Sequence, residues 1–130
     1  MSGPRVLMVC MGNICRSPTA HGVLRHKLMQ AELDQRVAVD SAGTHAYHVG
    51  SPPDARSQAH AQRRGYRFDD LRARAVADAD FEHFDLILAM DWDNLALLEQ
   101  MRESGLAGGF VRRADVIPEV HRDHRSGAIL

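Results

Sequence analysis

The feature that most limits how this chain can fold is the run RVLMVCMGNICRSPTAHGVL, residues 5 to 24. An apolar stretch, Arg5 to Val9, follows Pro4 and stops at Cys10. A run that is apolar throughout, not alternating, reads as a strand buried on both faces of a parallel sheet. A short Gly-Asn loop then leads into a helical pattern. Ser17 is a suitable N-cap and Pro18 suits the first helical position. Ala20, Val23, Leu24, Leu28 and Ala31 follow at helical spacing, so the helix, residues 17 to 33, carries one apolar face. Strand, tight loop, helix is the opening of a wound α/β unit.

The same alternation continues. RVAVDSAG, residues 36 to 43, reads as a second strand ended by a glycine turn, and THAYHVGSPPD, residues 44 to 54, as a loop. Asp54 can cap a helix over 55 to 65, which Gly65 ends. A polar, Arg/Asp-rich connection spans 67 to 80, and FDLILAM, residues 84 to 90, is the clearest third strand. Asp91 can cap a helix from Trp92 to about Met101, with Leu95 and Leu98 facing inward. GFV and ADVIPEV supply weak extended candidates after it, and no final helix is legible. Parallel strands joined by helices wind right-handed. The expected fold is α/β: a three-layer, small parallel doubly wound sheet of about four strands with flanking helices. One domain over 1–130 is expected, with a shortened or atypical tail at 102–130.

The 130 residues suffice for one real core. A net charge of −1 argues against general binding to nucleic acid or anionic membranes, so any anion site must be local. Only Lys27 among the 16 basic residues is lysine, a compositional bias without a basic arm. The start shows no secretory h-region, and nothing approaches a membrane-spanning length. Two closely spaced cysteines form no secreted disulfide framework. The expected compartment is therefore the cytoplasm. The eight histidines, including His45, His48, His121 and His124, lack a matching carboxylate or thiolate set. They read as surface residues, and neither metal nor cofactor is expected.

The chemistry concentrates between Cys10 and Arg16. In open α/β sheets ligands bind beyond the carboxyl ends of the strands. A loop there that enters a helix N-terminus offers free N–H groups and a favourable dipole to an anion. Gly12 permits a tight turn and Asn13 tolerates left-handed geometry. The amides of Met11, Gly12, Asn13, Ile14 and Cys15 can then curl into a nest for a tetrahedral oxyanion such as inorganic phosphate. Arg16 closes the ring with a planar fork that grips two oxygens. The same field favours the Cys10 thiolate, and Ser17 can donate a hydrogen bond to it. A thiolate under a bound phosphate is set for in-line attack on phosphorus.

The string VCMGNICRSP resembles the signature of the low molecular weight protein tyrosine phosphatases, and DSAGTHAYHVGSPPDARS and FDLILAMDWDNLALL are also similar to that family. The resemblance covers residues 5 to about 101. It implies a metal-free hydrolysis of protein phosphotyrosine and small aryl phosphates. In that reading Cys10 is the nucleophile and Arg16 the phosphate clamp. Asn13 and Ser41 hold the loop through mutual hydrogen bonds, and Ser17 tunes the thiolate. Cys15 is the neighbour able to form a reversible disulfide with Cys10, protecting it from over-oxidation. Tyr47, with His45 and His48 nearby, flanks an aromatic leaving group, and Asp91 and Asn94 belong to the loop opposite the pocket. The implied partner is a phosphotyrosine-containing protein, a tyrosine kinase among the candidates.

One element of the family pattern is absent. The family carries its general acid in a late Asp-Pro-aromatic motif, and this chain has no Asp-Pro. Glu119, after Pro118, is the nearest positional match, with Asp115 as the alternative. Three readings follow: an active phosphatase with an unusual acid, a phosphate-binding homologue with impaired turnover, and a non-enzymatic phosphotyrosine-binding module. The intact pair Cys10 and Arg16 favours the first two. Arsenate reductase chemistry on the same scaffold needs further downstream cysteines, and none follows Cys15. A redox switch of Cys10 and Cys15 lacks the Cys-x-x-Cys spacing. A sheet face left thinly covered by the short tail implies modest stability or a covering partner chain such as a homodimer.

Overall fold

The computed structural model describes residues 3–104 and 110–113. Four strands, β1 (Arg5–Cys10), β2 (Ala38–Gly43), β3 (Leu86–Ala89) and β4 (Phe110–Arg113), form one parallel sheet in the order β2-β1-β3-β4. The helices are α1 (Arg16–Gln30), α2 (Ala55–Arg63), α3 (Asp80–His83) and α4 (Trp92–Ser104). The chain winds from β1 outward to β2, then crosses back to β3 and β4. The reversal lies between β1 and β3, and ligand crevices of doubly wound sheets form at such a switch point. Cys10 stands at the carboxyl edge there, paired with Gly43 of β2.

The alternation of β1 explains the layers. Leu7 and Val9 join Ala42, Phe81, Phe84, Ile87, Ala89 and Leu98 in one buried cluster, against α3 and α4. Met8 turns to the other face and packs with Ala20 of α1 and Leu88. Gly22 of α1 seats the buried ring of Phe68: a Cβ there would come within 2.8 Å of it. Asp54 caps α2 as the sequence implies, its carboxylate accepting the Ser57 amide at 3.1 Å. Gly65, at φ 87°, follows that helix. Asp91 likewise accepts the Asn94 amide at 2.7 Å and starts α4, with Leu98 buried and Leu95 packed beside it.

Several expectations are corrected. Ser17 does not cap α1: Cys15 occupies the cap position without a side-chain cap bond, and the Ser17 hydroxyl is used elsewhere. The helix stops at Gln30, not Leu33, because Glu32 turns left-handed (φ 58°) and the Leu33 amide returns to the Leu28 carbonyl at 2.8 Å. The connection before β3 holds a short helix, α3, and an isolated parallel bridge of Ala75 to Gly43. GFV overlaps β4, whereas the extended candidate at 114–120 lies outside the described residues. Among the described residues no helix is long and apolar enough to cross a membrane.

Candidate active site

The loop from Cys10 to Arg16 is shaped by what its carbonyls do. The Cys10 carbonyl accepts the Thr44 amide at 2.9 Å, Met11 accepts His45 at 3.0 Å, and Ile14 accepts Asp54 at 2.6 Å. All three donors come from the loop after β2. With the carbonyls turned outward, the amides turn inward, and among the described residues those of Met11 through Arg16 donate to no protein group. Asn13 makes the turn at φ 57°, the left-handed region that asparagine tolerates. The curl closes down on Gly43, where a Cβ would lie 2.7 Å from the Met11 carbonyl oxygen. The outcome is a concave ring of N–H groups at the N-terminus of α1, a ready anion cradle.

Cys10 lies buried at the base of this ring. Its Sγ is 3.1 Å from the Ser17 hydroxyl and accepts the Ser17 amide at 3.4 Å. Proton directions follow from the network. The Arg74 amide must donate, so Asn13 presents Oδ1 to it at 2.9 Å and Nδ2 to the Ser17 hydroxyl oxygen at 2.8 Å. Ser17 thus accepts from Asn13 and keeps one proton to give. Sulfur at 3.1 Å is closer than the Ala42 carbonyl at 3.5 Å. The Ser17 hydroxyl proton is therefore available to the Cys10 sulfur or to the Ala42 carbonyl.

Arg16 reaches across the crevice. Its Nη1 donates to Asp91 Oδ2 at 2.9 Å, with side chains 41% and 39% exposed. Partial desolvation pushes the Asp91 carboxyl up, but the Asn94 amide and the Arg16 guanidinium outweigh it and hold it below the usual carboxylate range. One carboxylate thus caps α4 and anchors the guanidinium beside the ring.

Asn13 and Ser41 do not bond to each other. Both are buried, but Asn13 is engaged by Ser17 and Arg74, and the Ser41 hydroxyl lies 2.9 Å from His21 Nδ1. Burial drives His21 down to about 4, against the opposing pull of Asp40, so it is neutral near pH 7. Cys10 and Cys15 are both free thiols; Cys15 is exposed, its Sγ 3.2 Å from the Ser57 hydroxyl. Tyr47 is 72% exposed, stacks on His45 at 5.1 Å and meets His48 edge-on at 6.5 Å. His48 in turn lies against Gly12, where a Cβ would come 2.8 Å from its Cδ2. Tyr47 is therefore linked to the ring through His48. Glu119, Asp115, His121 and His124 lie outside the described residues. Among the described residues no group of three His, Cys, Asp or Glu side chains could hold a metal ion. Sequence reasoning missed Arg74 and His21, whose partners are distant along the chain.

The family model described as low molecular weight phosphotyrosine protein phosphatase matches residues 5–116. YfkJ, the low molecular weight protein-tyrosine-phosphatase of Bacillus subtilis, is 42% identical over 96 residues, covering 74% of this chain and 62% of that protein. The crystal structure of YfkJ aligns with TM-score 0.83 at 34% identity, over 99% of this chain and 84% of that one. The crystal structure of DARP, drosophila arginine phosphatase, aligns with TM-score 0.83 at 35% identity, over 91% and 75%. The human low molecular weight phosphotyrosine protein phosphatase is 44% identical over 90 residues, covering 69% of this chain and 56% of that protein. The chain spans less than two thirds of the length of the curated relatives it matches. A family match reaching from the first strand past the last described one, joined to likeness in both sequence and fold, makes this chain a member of the low molecular weight phosphotyrosine protein phosphatase family.

Proposed function

We propose that the chain hydrolyses protein phosphotyrosine and small aryl phosphates through a cysteinyl-phosphate intermediate. The observation that carries the reading is Cys10: a buried thiol beneath inward amides, hydrogen-bonded to both the amide and the hydroxyl of Ser17, with Arg16 at the far end of the ring. The Cys10 sulfur attacks phosphorus in line, the P–O ester bond breaks, and a carboxylic acid gives its proton to the departing phenol oxygen. Arg16 and the loop amides hold the equatorial oxygens throughout. Water then attacks phosphorus and passes a proton to the same carboxylate. The S–P bond breaks, phosphate leaves and the thiolate returns. We assign the acid to Glu119, with Asp115 as the alternative. The aromatic leaving group packs on Tyr47, and a tyrosine kinase is one partner of suitable chemistry.

Cys10→Ser is expected to abolish turnover while inorganic phosphate still binds. Hydrolysis of nitrophenyl phosphate by that variant at the parent rate would refute the mechanism. Arg16→Ala should lose both phosphate binding and rate. A pH–rate profile on phosphotyrosine for the parent, Glu119→Gln and Asp115→Asn locates the acid: the variant that loses the basic limb has lost it. Phosphoarginine belongs in the same assay, because one structural neighbour is an arginine phosphatase; faster turnover of phosphoarginine would displace phosphotyrosine as the substrate. A second reading, phosphate binding with slow turnover, is favoured by the absence of Asp-Pro. Loss of the acid costs about 10²- to 10⁴-fold, less for a phenol that leaves readily. A rate on nitrophenyl phosphate far above that on phosphotyrosine selects it.

A further inference from the structure

We propose that Arg74 is a positioning residue: clamped between Asp40 and Asp80, it offers its backbone N–H to Asn13 and so fixes the ring for oxyanion binding. The proposal rests on reading residues 10 to 16 as a phosphate-binding loop.

The clamp is two-sided. Arg74 Nε and Nη2 donate to Asp40 Oδ2 at 3.2 and 3.0 Å. Its Nη1 and Nη2 reach Asp80 Oδ2 and Oδ1, each at 3.0 Å, in a bidentate pair. Asp40 is on β2, and Asp80 opens α3 while also accepting the Ala77 amide at 2.8 Å. The guanidinium therefore ties the segment around residue 74 to two elements at once. The backbone of that segment is stitched to the end of β2: Gly43 donates to the Arg74 carbonyl at 2.8 Å, and Val76 donates to the Gly43 carbonyl at 2.9 Å. So held, the Arg74 amide meets Asn13 Oδ1 at 2.9 Å.

Asn13 is 2% exposed and left-handed, and it relays the constraint to Ser17 and hence to Cys10. Without the guanidinium, Asp40 and Asp80 face each other without a counter-charge. The segment then draws away from β2, and Asn13 Oδ1 loses its donor inside the protein. A buried acceptor without a partner is strongly disfavoured, so the amide rotates and the ring relaxes.

The test is calorimetric binding of inorganic phosphate to the parent, Arg74→Met, Asn13→Ala, the double variant and Asp80→Asn. Arg25→Met is the control, since it breaks a separate ion pair with Asp70. Arg74→Met and Asn13→Ala should each weaken phosphate by about tenfold, the cost of stranding one buried polar group. Because both act through one hydrogen bond, the double variant should be no weaker than the weaker single. Arg25→Met should keep the parent affinity whatever its melting temperature. A folded Arg74→Met with parent affinity overturns the proposal, as does a double variant that multiplies the two losses. Should Arg74→Met not fold, Asp80→Asn decides: several-fold weaker phosphate binding supports the clamp, and parent affinity overturns it. A parent that binds no phosphate overturns the loop reading itself, a result distinct from any change among the variants.

Discussion

Gly43→Ala tests the shape of the ring from beneath. The added Cβ would stand 2.7 Å from the Met11 carbonyl oxygen, 3.1 Å from the Gly12 carbonyl carbon and 3.2 Å from Asn13 Cβ. Two of the three are backbone atoms, so no flexible side chain can swing aside. Gly43 is itself pinned, paired with Cys10 in the sheet and bonded to Arg74 and Val76. The ring must therefore yield. Overpacking of this kind costs about 1–3 kcal/mol. Restricting the unfolded chain returns about 0.4–1 kcal/mol of that. A net loss of about 1–2 kcal/mol corresponds to a melting temperature lower by several degrees in a chain of this size. Lifting the ring also misaligns its amides, and each ~1.4 kcal/mol lost from the bound state weakens phosphate tenfold. Scanning calorimetry with and without phosphate reads both effects. An alanine variant that melts at or above the parent and binds phosphate equally well would show that the ring does not close on β2.

Other outcomes follow from single contacts. His21 titrates at about 4 when folded, from an ordinary 6.5, because burial outweighs Asp40 and Asp70 and is assisted by Arg25 and Arg74. The unfolded chain then binds more protons between those values, so this contribution is intact above pH ~6.5 and falls toward pH ~4 by roughly 3 kcal/mol in all. His21→Gln should flatten that part of a stability–pH curve; an unchanged slope would refute the assignment. Asp91→Ala removes both the cap of α4 and the anchor of Arg16. Stability should drop by ~1 kcal/mol, and phosphate affinity by about two- to tenfold for a freed arginine; an unaltered affinity would mean that the anchor is idle. Thr19→Glu puts a carboxylate in the first turn of α1. It should gain about 0.3–1 kcal/mol of stability while weakening phosphate about fivefold through repulsion, and movement of both in one direction would contradict the dipole argument.

What could be read in the sequence divides by the range of the interaction. β1, β3 and the Asp54 and Asp91 caps are local signals, and each appears where residue type and spacing put it. Ser17 shows where local reasoning stops. Its type and position suit a cap, but Asn13 and the Cys10 sulfur compete for the hydroxyl and win, because both are buried and need partners. Arg74 was illegible for a related reason. In a stretch rich in Arg and Asp it reads as one solvated charge among many, and nothing local says that Asp40, far upstream, will face it. The pairing of His21 with Ser41 instead of Asn13 with Ser41 is also a matter of register, since α1 must settle on the sheet before the three side chains have neighbours. The short helix α3 has too few residues for any periodic pattern.

The N-terminus of α1 connects stability to function. A helix start ordinarily gains from a side-chain cap and from acidic residues in the first turn. α1 has neither: no cap bond and no acid in its first turn. Both devices would have filled the N–H groups or cancelled the field. Their absence leaves the amides and the dipole for a guest, next to Arg16, in a chain whose net charge of −1 supplies no general attraction to anions. The hydroxyl that could have capped the helix instead lies between Asn13 and the Cys10 sulfur. The same N-terminus is therefore left open to an anion, which a helix start with a side-chain cap and acidic residues in its first turn would oppose.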